Sequence, residues 1–163
     1  MLRKFISLVF LLLVTMSAPT EARTLDEIIS DGTLRIGVNP NFPPMSSFGM
    51  TNQLEGFDVD IGNRIAEVLG VDAEFVTTEA AQRVPFLVSN RIDIALGAMT
   101  RTPTRAKLIG YTIPLHSEAM CVITTDKVDI LSWKELDRPD ITLVNMRGNL
   151  SVSILKDMLP KPK

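Results

Sequence analysis

Apolar positions along this chain follow two alternating spacings, one of two residues and one of three to four. In TLRIGV (33–38) and AEFVTT (73–78) apolar and polar residues alternate, which predicts half-buried strands. Between them, in GFDVDIGNRIAEVLG, residues Phe57, Ile61, Ile65, Val68 and Leu69 fall on one face of a helix that Gly70 is placed to close. Ahead of the first strand, Thr24 with Glu27 three residues later is a capping-box pattern, and Gly32 is placed to end that short helix. A helix over residues 80–89 leads into RIDIALGA (91–98), a nearly continuous apolar run of the kind buried on both faces. The order β-α-β-α-β has helical crossovers, which join parallel strands with right-handed connections. The expected class is therefore α/β with a central, largely parallel sheet.

Beyond residue 110 the pattern restarts. YTIPLHSEAMCVITT predicts two extended segments, SWKELDRP a helix, and ITLVN a strand. GNLSVSILKDML predicts a helix with Leu150, Ile154, Leu155, Met158 and Leu159 on one face. One strand and one helix cannot bury their own apolar faces. This part reads as the opening of a second unit that the sequence holds incompletely.

The composition, 45% hydrophobic and 22% charged over 163 residues, is that of an ordinary globular chain. A net charge of −2 with no basic stripe leaves nothing to neutralise phosphates, so nucleic acid is not an expected partner. The N-terminus alters the picture more. Arg3 and Lys4 precede the apolar run FISLVFLLLV, and small or polar residues follow, which is the pattern of an export signal with cleavage expected after Ala22. The run is shorter than the roughly 20 apolar residues of a membrane span. The sole cysteine, Cys121, lies far from this signal and excludes a lipoprotein anchor there. It also excludes an internal disulfide, and its setting in AMCVI reads as a small buried hydrophobe.

Candidate chemistry begins in ALGAMTRTPTRAK, residues 95–107, where a strand runs out into hydroxyls and guanidinium groups. Thr102 and Pro103 form a helix start, with a hydroxyl at the N-cap and proline at the first helical position. Arg105 lies in that first turn, and its planar fork matches a carboxylate in two hydrogen bonds. The stretch follows the carboxyl end of a strand, where open α/β sheets collect their ligands. No glycine-rich GxxxxGK[ST] cradle for phosphate is present.

Four segments, LRIGVNPNFPPMSS, LEGFDVDIGNRIAEVLG, VPFLVSNRIDIALGAMTRTPTRAK and DRPDITLVNMRGN, resemble successive motifs of the family 3 extracellular solute-binding proteins, the amino-acid receptors of ABC importers. The resemblance implies a type II periplasmic-binding-protein-like fold in which two α/β lobes close on one amino acid. It divides the chain into a signal peptide (1–22), a first lobe (23–118), and a hinge strand with the start of a second lobe (119–163). It also implies a periplasmic location, importer membrane subunits as partners and no cofactor or metal. With the second lobe incomplete, weak or absent affinity is the expectation.

Residue by residue, Arg105 matches the family arginine that clamps the ligand α-carboxylate, and Thr100 the hydroxyl residue beside it. Ala98 would offer its backbone carbonyl to the α-ammonium, and Phe42 an aromatic ring over the ligand. Relatives that take basic or amide side chains often carry aspartate where Asn39 stands, so a neutral or acidic ligand is expected over a basic one. AAQRVPFL resembles the NRIP segment, whose arginine meets the side-chain carboxylate in glutamate and aspartate receptors; Arg83 holds that position. RGNLS stands for the more usual RGTT, leaving Asn149 and Leu150 to offer backbone N–H groups.

Other residues carry plainer expectations. Asp58 and Asp60 flank a helix start, where they favour the dipole. His116 is the only histidine, which excludes a multi-histidine metal site. Met45, Met99 and Met120 read as core filler. Exported cyclohexadienyl dehydratases resemble the same family, and for that enzymatic alternative Glu79 and Glu118 are the candidate acids. A sensory input domain of a larger membrane protein is the third alternative.

Overall fold

The structure, a computed structural model, describes residues 21–125 and 127–162; the expected signal peptide lies, apart from its last two residues, outside them. Helix α1 (Leu25–Asp31) leads into strand β1 (Thr33–Val38), and a small antiparallel meander follows: β2 (Asn41–Phe42), β3 (Ser46–Phe48) and β4 (Leu54–Glu55). Next come α2 (Phe57–Leu69), β5 (Asp72–Thr77), α3 (Arg83–Val88), β6 (Ile94–Ala95) and the short α4 (Pro103–Ala106). A 3-10 turn (Trp133–Leu136) and helix α5 (Leu150–Met158) complete the described elements. The main sheet is parallel with order β5-β1-β6, as the β-α-β-α-β pattern predicts. Leu34, Ile36 and Val38 of central β1 are buried at the centre of the core, joined by Ile28, Ala66 and Leu96.

Local signals in the sequence form as expected. Thr24 and Glu27 close a reciprocal capping box, and Gly32 and Gly70 end α1 and α2 with φ of 69° and 70°, in the left-handed region glycine favours. Longer-range expectations change. The apolar run at 91–98 pairs only through Ile94 and Ala95, because Gly97 (φ 103°) and Ala98 (φ 51°) turn the chain out of the strand region. Helix α3 begins at Arg83, which puts Pro85 in its first turn, where the missing N–H costs no helical bond. Residues 111–125 and 141–145 form no strand, since no described neighbour pairs with their backbone. The predicted helix in SWKELDRP is only the 3-10 turn, and Cys121 and Met120 are exposed, not core.

Of the face expected of α2, Ile61, Ile65 and Leu69 pack against the core, while Phe57 and Val68 do not. Val59, Gly62 and Ala66 are buried, while Val68 is 70% exposed. Gly62 lies at the closest approach: a Cβ there would lie 2.8 Å from Phe75 Cε1 and 3.0 Å from Ile36 Cδ1, so the helix seats its barest point on β1 and β5. Gly62→Val is expected to overpack this contact and lower stability by about 1–3 kcal/mol, read as a shift in urea midpoint at constant m.

At the amino end of the sheet, Asp93 joins three elements. Its carboxylate, 2% exposed, accepts from Arg23 Nε (3.0 Å), from Arg35 Nη2 (2.7 Å) and from the Arg35 backbone N–H (2.8 Å). Burial alone would raise this carboxyl, but the hydrogen bonds from Arg35 and Arg23 outweigh it and bring its pKa to about 2. At the far end of the chain, Leu131, Trp133, Leu155 and Met158 border an open apolar groove, in keeping with a helix that cannot bury its own apolar stripe.

Candidate functional site

The site is built at the carboxyl ends of β1 and β6. Val38 hands the chain to Asn39, which is 6% exposed; its carbonyl accepts from the buried Ser46 hydroxyl at 2.6 Å, and its side-chain oxygen accepts from the Asn41 N–H at 3.2 Å. These bonds fix the turn into β2 and so place Phe42, half-buried, beside the cleft. From β6 the chain passes through Gly97 and Ala98 to Thr100 and then α4. There Thr102 is the N-cap, its hydroxyl accepting from the Arg105 N–H at 3.2 Å, with Pro103 in the first turn.

That cap orients Arg105. Its Nη1 donates to the Thr100 carbonyl at 3.0 Å and its Nη2 to the Gly148 carbonyl at 3.3 Å. A guanidinium carries five N–H donors, so this fork keeps donors for an anion while spanning two segments of chain. Gly148 (φ 82°) permits the approach: a Cβ there would fall 2.7 Å from the backbone nitrogen of Ala81.

Asn39, Phe42, Arg83, Ala98, Thr100, Arg105, Asn149 and Leu150, the eight residues singled out from sequence, border one cleft. Ala80, Gly97, Glu118 and Met146 complete its lining. Glu79 is not among the lining residues. Two of the eight sit differently from their expected roles. Arg83 is 6% exposed, and its Nη1 donates to the Gly97 carbonyl, so part of its fork is already used inside the protein. Burial, then the charge of Arg105, hold its pKa below the ordinary arginine value. Asn149 is the N-cap of α5, accepting from the Ser151 N–H, and its own N–H is taken by the Met146 carbonyl.

Asp58, expected to cap α2, is instead 2% exposed, with one carboxylate oxygen lacking a hydrogen-bond partner. Burial pushes its carboxyl above the usual range, opposed by the nearby Gly97 backbone and the charges of His116 and Arg83. Sequence offered no sign of this, because an acid at a helix start already has a local explanation in the dipole. His116 meets Phe57 edge to face at 5.9 Å. Among the described residues, no three His, Cys, Asp or Glu side chains converge as a metal site.

Comparison with known proteins places this geometry. Residues 34–157 match the bacterial extracellular solute-binding proteins, family 3. The L-arginine-binding protein of Pseudomonas aeruginosa is 35% identical over 111 residues, 68% of this chain and 40% of that protein. The cyclohexadienyl dehydratase of the same organism is 25% identical over 154 residues, 93% of this chain and 58% of the enzyme. The probable histidine-binding protein of Campylobacter jejuni is 28% identical over 76% of this chain and 48% of its own length. The chain thus spans about half the length of the curated relatives it matches.

Among solved structures, the ancestral amino acid-binding protein AncCDT-1, a precursor of cyclohexadienyl dehydratase, superposes with a TM-score of 0.82 at 34% identity, covering 86% of this chain and 63% of that one. The arginine-bound form of domain 1 from TmArgBP gives a TM-score of 0.54 at 34% identity, covering 56% and 72%. The expectation of a neutral or acidic ligand is not supported, since relatives named for arginine and histidine predominate among these. The absence of aspartate at Asn39 was too narrow a basis, because a carboxylate from another segment, Glu118, also lines the cleft. With its parallel sheet, its ligand-ready strand ends and a family match across most of its length, this α/β chain has the type II periplasmic binding fold and belongs to the bacterial extracellular solute-binding proteins of family 3.

Proposed function

We propose that this chain binds a free L-amino acid with a cationic side chain in the periplasm and presents it to the membrane subunits of an ABC importer. The observation that carries the reading is Arg105, held by its helix cap at the cleft wall with donors to spare for an α-carboxylate. Ala98 and Thr100 serve the α-ammonium, Phe42 packs on the ligand, and Asn149 and Leu150 close the opposite wall. Glu118, the one carboxylate among the lining residues, supplies the negative charge that a basic side chain requires. In this reading residues 1–22 are the export signal, 23–118 the first lobe, and 119–163 the hinge strand and the opening of the second. The arginine-bound form of domain 1 from TmArgBP supports ligand capture by a first lobe, against the expectation of weak or absent affinity.

Thermal melting of the chain from Arg23 onward, with each L-amino acid in turn, tests this. A ligand at 100 times its Kd adds about 2.7 kcal/mol to stability, so arginine, lysine or histidine is expected to raise Tm by several degrees. A flat response to all the amino acids would remove the reading. The second reading, a cyclohexadienyl dehydratase, draws on the relative that covers most of this chain and on Glu118 in the cleft. Release of phenylpyruvate from prephenate, followed by absorbance, separates the two.

A further inference from the structure

Among the described residues, one hydrogen bond alone joins residues 21–118 to 119–162, the 3.3 Å bond from Arg105 Nη2 to the Gly148 carbonyl. The same glycine packs on Ala81 from across that divide. A Cβ on Gly148 would fall 2.7 Å from the Ala81 backbone nitrogen and 2.8 Å from both its Cα and its Cβ, closer than real side chains come. Neither side can readily yield. Ala81 sits in a turn held by two bonds: the Glu79 N–H donates to Gln82 Oε1 at 2.9 Å, and the Gln82 N–H to the Glu79 carbonyl at 3.0 Å. Gly148, with a left-handed φ of 82°, sits in the 146–149 turn, which the Asn149 N–H closes on the Met146 carbonyl at 3.1 Å. That turn carries Met146, Asn149 and Leu150, so the three reach the cleft as one piece. Facing them, Ala80, next to Ala81, lines the cleft from the other side of the divide. The two walls of the cleft thus meet on the bare Cα of Gly148.

We propose that Gly148 is a positioning residue for closure of the cleft: a hydrogen in place of a side chain lets the 146–150 segment seat on Ala81 and hand its carbonyl to Arg105. A joint of one hydrogen bond and one backbone contact is light enough to open and close again. Arg105, which holds one end of it, is also the residue assigned above to the ligand carboxylate, so seating the joint and holding the ligand are coupled. The consequence for affinity rests on the amino-acid reading above. The seating of Gly148 on Ala81 does not.

Gly148→Ala adds the one carbon that the contact excludes, and it also strains a left-handed φ. Gly70→Ala is the matched control, because Gly70 has a φ of 70° and nothing within 4 Å of where its Cβ would lie. Spin labels at Lys107→Cys beside α4 and Lys156→Cys in α5, in a Cys121→Ser background, report the separation of the two walls in the ligand-free chain. Calorimetry gives the Kd of L-arginine. Gly148→Ala is expected to lengthen and broaden the label separation. Apparent Kd rises in inverse proportion to the closed fraction, so arginine is expected to weaken at least tenfold. Gly70→Ala should keep the wild-type separation and a Kd within threefold. Ala81→Leu crowds the same contact from the opposite side, at a residue without positive φ, and takes the place of Gly148→Ala if that variant does not fold. An unchanged separation overturns the proposal, as does a Gly70→Ala variant that opens as far, or an unchanged Kd in a wild type that binds. A wild type that binds no amino acid sinks the functional reading alone, and the label separation still decides whether Gly148 governs the joint.

Discussion

Arg105→Ala is expected to weaken amino-acid binding by two to four orders of magnitude and to erase the ligand-induced rise in Tm. Two charge-assisted hydrogen bonds to a carboxylate contribute about 1.5–3 kcal/mol each, and 1.4 kcal/mol is a factor of ten in Kd. Little of this loss should reach the folded state. The Thr102 cap is made to the backbone N–H of residue 105, which alanine retains, and the two carbonyl bonds lost are those to Thr100 and Gly148. The ligand-free variant should therefore melt within a few degrees of wild type. Arg105→Lys should fall between the two, keeping the charge and losing the planar fork. An unchanged Kd in the alanine variant would take Arg105 out of the site.

The second large effect concerns stability. Asp93→Asn leaves the guanidinium groups of Arg23 and Arg35 facing an amide in a site where the carboxylate is 2% exposed. Loss of about 2–4 kcal/mol is expected, or roughly 6–12 °C in Tm for a chain of this size. The pH dependence gives a sharper check. The folded pKa of Asp93 is depressed to about 2, against about 3.9 for an unfolded aspartate. Its stabilisation is thus fully present above pH 4 and is lost as pH falls through 2. Denaturant midpoints of the two proteins should differ most at neutral pH and converge toward pH 2. Parallel curves across that range would mean that the depressed pKa is not the source of the difference.

What the sequence disclosed depended on how far apart the cooperating residues lie. The Thr24–Glu27 box, the Gly32 and Gly70 stops and the Thr102-Pro103 start were all legible, because each is decided within four positions of chain. The parallel sheet was legible from the alternation of strand and helix. The face of α2 was legible through Ile61, Ile65 and Leu69, but not its closest approach, because Gly62 carries no apolar side chain to mark the contact it makes with Phe75 and Ile36. ITLVN had every local mark of a strand, yet a ladder needs a partner, and none of the described residues provides one. The eight cleft residues were reached through resemblance to a family, and they do converge. The burial of Asp58 was missed, since an acid at a helix start already has a local explanation and only the fold encloses it.

The two carbonyls that hold Arg105 also bear on what the proposed site would accept. An incoming group must outbid or share with oxygens that the guanidinium already has. A neutral amide or ester oxygen offers the guanidinium a bond of the same kind as those in place, and so gains nothing by exchange. A free carboxylate brings a full charge and does gain. In the amino-acid reading proposed above, the cleft would discriminate by substitution: amidated or peptide-linked amino acids, whose carboxyl end is neutral, are expected to bind more weakly than the free acid.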